Sequence, residues 1–106
     1  MQPSNSTNAY AHLNSSLEAE LEAAQVSLRH DFSMLNTLQE ERNHLQGLMQ
    51  QNNRLVTERL EQNTAETVRV LNRYFQHKER IQNISEALSK LEQEATEARH
   101  FRSLSR

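Results

Sequence analysis

"QGLMQQNNRL", residues 46–55, holds the only glycine of the chain, Gly47, and then four amide side chains in a row, Gln50 to Asn53. Both flanks carry helical periodicity. The fold therefore turns on whether the chain reverses here or one long helix runs straight through.

The flanking pattern can be counted. Leu17, Leu21, Ala24, Leu28, Asp31, Leu35, Leu38, Arg42, Leu45, Met49, Asn52 and Val56 follow the alternating steps of four and three that define a heptad, and nine of the twelve are apolar. From Val56 the frame advances by four again to Leu60. It then runs Asn63, Thr67, Val70, Tyr74, His77, Ile81, Ile84, Leu88, Leu91, Ala95 and Ala98. An extra step of four is a stutter, here near 56–60, which unwinds a coiled coil locally without breaking it.

In the first frame Gly47 falls at f, away from any partner, while Leu45, Met49 and Val56 carry the seam across the amide run. The sequence thus favours an all-α fold built on one long, mostly continuous amphipathic helix that forms a coiled coil or extended bundle with other chains. Residues 15–101 would span ~130 Å at 1.5 Å per residue. The alternative is a helical hairpin broken near 62–64 or at 46–53. In the first case Asn63 caps a second helix with Glu66 as its capping-box partner.

Composition agrees with helix. The chain has 106 residues, 35% hydrophobic and 5% aromatic, with one proline (Pro3) and no cysteine. That is too little apolar material for an ordinary compact core, and too little turn punctuation for a β fold. Ser15 with Glu18 fits a capping box, and Glu18, Glu20 and Glu22 suit the positive end of a helix dipole. The expected organisation is a disordered polar tail at 1–14, a coiled-coil helix over 15–101 and a short basic tail at 102–106.

Charge is uneven. Residues 1–53 carry Arg29 and Arg42 against six carboxylates, a net of −4, whereas residues 54–106 carry a net of +2. This polarity favours antiparallel contacts. In a parallel homodimer Arg73 at g would face Lys78 at e, a repulsion. Phe32 and Leu71 at e, with Met34, Leu48 and Leu55 at g, widen the apolar stripe beyond what a two-stranded seam needs.

The partner-binding seam is therefore expected to comprise Leu17, Leu21, Leu28, Leu35, Leu38, Leu45, Met49, Val56, Leu60, Val70, Tyr74, Ile81, Ile84, Leu88 and Leu91. Arg42, Asn52, Asn63 and His77 are poor at self-pairing and would select the partner. Phe32 and Phe75 lie outside the seam as candidate docking residues.

Chemistry is sparse. None of the five histidines pairs with another at i+3 or i+4, so no helical imidazole pair grips a metal. No phosphate loop or nucleophile elbow occurs, and neither an enzyme nor a cofactor is expected. The basic-aromatic segment "VRVLNRYFQHKER", residues 68–80, has the ingredients of a nucleic-acid-binding helix, but the pI of 6.2 argues against one. A membrane-surface helix is a further alternative, weakened by the absence of tryptophan and a polar face of mixed sign.

No apolar run is long enough for a membrane span, and the first residues lack the signature of a secretory signal. The expectation is a non-enzymatic structural or scaffolding subunit, cytoplasmic or nuclear and not secreted. It would assemble with other coiled-coil chains into a larger, heteromeric complex (cytoskeletal, kinetochore, tethering or transcriptional), with a homo-oligomer as the simpler variant.

Overall fold

Asn53 settles the question raised by the amide run. Its side-chain Oδ1 accepts from the backbone N of Leu55 at 2.9 Å, and its carbonyl accepts from the N of Thr57 at 3.2 Å and from that residue's hydroxyl at 3.4 Å. This is an N-cap, which gives a partner to one of the amide donors that a new helix leaves unsatisfied. In the computed structural model, which describes residues 5–49 and 53–104 with side chains from Ala9 onward, two helices result. They are α1 (Asn5–Leu48, 44 residues) and α2 (Arg54–Leu104, 51 residues).

The architecture is all-α, an antiparallel helical hairpin, and the continuous helix is corrected by the break between Leu48 and Arg54. The break lies within 46–53 and not at 62–64, where Asn63 sits inside α2 and is fully buried. The apparent stutter is the reversal itself. Extending the α2 frame back from Leu60 places Val56 at d and Asn53 at a, four residues after Met49, the a position just past the end of α1. Val56 is accordingly buried, whereas Leu55 moves from g to c and is 72% exposed. A seam pattern continues across a hairpin because each helix shows the same a and d positions to the other.

At the other end α1 begins at Asn5, ahead of Ser15, and its helix covers residues 5–14. Asn14 Nδ2 donates to Glu18 Oε1 at 3.1 Å, an i,i+4 bond that starts one residue before the expected cap Ser15 and engages its expected box partner.

The chain divides into two units, each pairing a stretch of α1 with a stretch of α2. In the unit of residues 26–78, Leu38, Leu45, Val56 and Val70 are buried between the helices, with Leu28, Leu35, Leu60 and Tyr74 half-buried around them. Cross-helix bonds fix the antiparallel register there: Asp31 meets Arg73 and His77, and Glu41 meets Asn63 and Arg59. In the unit of residues 1–25 and 79–106, Ala24, Ile84 and Leu91 are buried, and Leu17, Leu21, Ile81 and Leu88 are half-buried. That unit also holds a cleft of about 700 Å³ whose lining includes Tyr10, Ala11 and Asn14 from α1 and Leu88, Leu91, Ala95 and Ala98 from α2.

Gly47 lies in the last turn of α1, and a methyl group added there would meet no atom within 4 Å. Gly47→Ala is expected to stabilise the fold by about 0.5–1 kcal/mol through helix propensity alone, raising the thermal midpoint by about 2–6 °C. A lowered midpoint, followed by circular dichroism, would mean that the reversal needs glycine at this position.

Candidate protein-interaction face

The seam expected to bind other chains is used largely within this one. Of its fifteen residues, Leu38, Leu45, Val56, Val70, Ile84 and Leu91 are buried, and all the others except Met49 are half-buried. Met49, just past the end of α1, is 50% exposed.

The residues expected to choose a partner divide in the same way. Asn63 is completely buried; its Nδ2 donates to the Leu38 carbonyl at 2.9 Å and to Glu41 Oε1 at 3.0 Å. Arg42 Nη1 donates to Thr64 Oγ1 at 2.8 Å. His77 Nε2 stands 3.5 Å from Oδ2 of Asp31, which is itself 97% buried, being 3% exposed. Asn52 lies outside the described residues. Three of the four therefore select the chain's own opposite helix.

Asp31 is one of the three seam positions in the first frame that are not apolar, and its role depends on α2. Arg73 Nη2 sits 3.3 Å from Asp31 Oδ1 and 3.4 Å from the Met34 sulfur, so a buried carboxylate has its counter-charge. A d-position acid paired with a g-position arginine 42 residues later cannot be read without the reversal. Glu41 forms the second cross-helix ion pair, with Arg59 Nη2 at 2.8 Å from its Oε2. The bonds from Arg59 and then Asn63 hold the Glu41 carboxyl below its ordinary value of 4.5, and Glu41 in turn raises Arg59.

Apart from the Arg42–Thr64 bond, which ends at an e position, these polar contacts gather on one flank of the 26–78 unit, at the seam and the g positions. The opposite flank, formed by the e and b positions of both helices, has a different character. Phe32 at e is 55% exposed, and Val68 and Phe75, one heptad apart at b, are 52% and 58% exposed. Leu71 at e is half-buried. The Phe75 ring packs edge-on against Tyr74, with centroids 5.6 Å apart and planes at 78°, and the Lys78 ammonium lies 5.8 Å over the Tyr74 ring. Phe32 and Phe75 were singled out in the sequence; Val68 was not, although its seven-residue spacing from Phe75 is a legible signal.

The segment 68–80 is thus partly occupied: Arg73 is committed to Asp31, Tyr74 is half-buried and Lys78 caps its ring. Among the described residues no group of three or more His, Cys, Asp or Glu could hold a metal ion, and no helix is long and apolar enough to cross a membrane.

A family model described as Zein-binding matches residues 2–100. No curated protein and no solved structure matches the chain.

Two predictions follow from the cross-helix contacts. Asn63→Leu is expected to leave thermal stability undiminished, because buried polar groups are often replaceable by apolar ones, but to loosen the register. Light scattering should then show a mixture of species where the wild type shows one, and a single species in the variant would remove Asn63 as the register device. Because the folded carboxyl of Glu41 titrates below 4.5, its contribution is complete above that pH and is lost as the pH falls through the folded value. Glu41→Gln should therefore flatten the acid limb of the unfolding midpoint below about pH 4.5, and parallel limbs in the two proteins would contradict the pairing.

Proposed function

That match covers nearly the whole chain, so the chain belongs to the Zein-binding family, and on that premise we propose that it is a non-enzymatic helical scaffold that binds a partner protein on the outer face of its hairpin. One observation carries the reading. The seam that would drive coiled-coil assembly is filled largely from within the chain, while nine large apolar side chains among the described residues stay exposed, Phe32, Val68 and Phe75 on one flank among them.

Single exposed apolar residues are ordinary on protein surfaces, but a clustered set is characteristic of an interaction site. Two packed helices also present a furrow into which a further helix fits, giving a three-helix bundle. The scaffold would thus act as one component of a heteromeric complex, with the partner completing a bundle that the chain leaves open on one side. The absence of cysteine suits a cytoplasmic or nuclear setting, which belongs to the same proposal. Commitment of Arg73 to Asp31 removes a charge from the segment that nucleic acid would need, and so favours a protein partner.

The test has two parts. Light scattering after size exclusion should give the 12.4 kDa monomer across a wide concentration range, since the seam needs no second copy. Zein, which the family's description names, is the first ligand to try: an immobilised zein surface should retain the chain above an albumin control. A concentration-independent dimer or tetramer with no retention would replace this reading with a structural homo-oligomer.

A further inference from the structure

The flank carrying Phe32 and Phe75 also has a charge pattern, and it specifies a partner more closely. At the e and b positions of the 26–78 unit the ionised side chains are Arg29, Arg54, Glu61 and Lys78. Arg54 is paired with Glu58 along its own helix, and Glu61 lies toward the turn. Arg29 and Lys78 take part in no ion pair among the described residues.

Both lie one helical turn from a phenylalanine, Arg29 three residues before Phe32 and Lys78 three residues after Phe75. The register set by Asp31 with Arg73 and His77 runs the helices in opposite directions, so the two cations share one end of the aromatic patch. Asp31 and Glu41, the carboxylates at the helix–helix contact, are engaged on the other side with Arg73, His77 and Arg59.

We propose that this face docks an acidic amphipathic helix of a partner protein. Its apolar side would lie over Phe32, Val68, Leu71 and Phe75, and its carboxylates would meet Arg29 and Lys78. The inference rests on the protein-binding reading above and names the surface and the partner's chemistry. A second copy is a poor occupant, because this face carries the cations Arg29, Arg54 and Lys78 against the single carboxylate of Glu61, so two copies would set one net-positive face against another. An acidic helix supplies what the face lacks. The phenylalanines, large and already exposed, become the anchors of such an interface, and the flanking cations set orientation and on-rate.

Three amphipathic helical peptides with one apolar face and acidic, neutral or basic polar faces would be titrated against the full chain by fluorescence anisotropy. The acidic peptide is expected to bind more tightly than the basic one by at least about tenfold. Phe32→Ala and Phe75→Ala should each weaken it by about tenfold, with helical content and thermal midpoint unchanged because both side chains are exposed. The double variant Arg29→Glu, Lys78→Glu should invert the order, so that the basic peptide binds best. That inversion is a gain which misfolding cannot imitate.

Equal binding of the three peptides, or acidic binding indifferent to the phenylalanine variants, would overturn the proposal. So would a homodimer that dissociates on Phe32→Ala, which would give the face to a second copy. Retention on zein distinguishes this failure from a broader one. If it persists when the peptides fail, the protein-binding reading stands and this surface is wrong; if both fail, neither holds.

Discussion

The side chain of Asn63 reaches across the hairpin to the Leu38 carbonyl and to Glu41, and much of the structure depends on that bridge. Apolar contacts in a two-helix pair are tolerant of sliding, since one leucine serves a hole nearly as well as the next. A fully buried amide is not tolerant, because displacement by one turn would leave it without partners and cost about 1–3 kcal/mol for the unsatisfied group. With that level fixed, Glu41 stands opposite Arg59, Arg42 opposite Thr64 and Asp31 opposite Arg73. The acidic character of α1 is then answered by the basic character of α2 within the 26–78 unit.

The same bridge decides which surface remains for others. In an antiparallel pair the g positions of the two helices meet on one flank and the e positions on the other. Register delivers the carboxylates and their cations to the first flank, leaving Phe32, Val68 and Phe75 on the second, where the neighbouring cations Arg29 and Lys78 have no ionic partner across the helix pair among the described residues. Specificity inside the hairpin and openness outside it are thus two results of one alignment.

Helix content and the seam were legible in the sequence, because period and composition are local properties. The reversal was legible only as the alternative at 46–53 and not as the favoured reading, for a physical reason that applies to any hairpin with a short connection. Asn53 caps α2, but the residue three places on is Val56, so the reciprocal capping box that marks many helix starts is absent. Asn63 with Glu66 has the box pattern and no cap; its amide is spent on the opposite helix. The roles of Asp31 and Arg73 were equally hidden, since neither side chain has a meaning until the other is brought to it. Phe32 and Phe75 could be picked out because each falls off the seam in the frame of its own helix, at e and at b.

Residues from near both ends of the chain, Tyr10 and Asn14 on one helix and Ala95 and Ala98 on the other, line one cleft in the unit of residues 1–25 and 79–106. Residues more than eighty positions apart in sequence are thereby held as neighbours. Contacts of that separation form and break together, so the unit of residues 1–25 and 79–106 opens as one cooperative piece and not helix by helix.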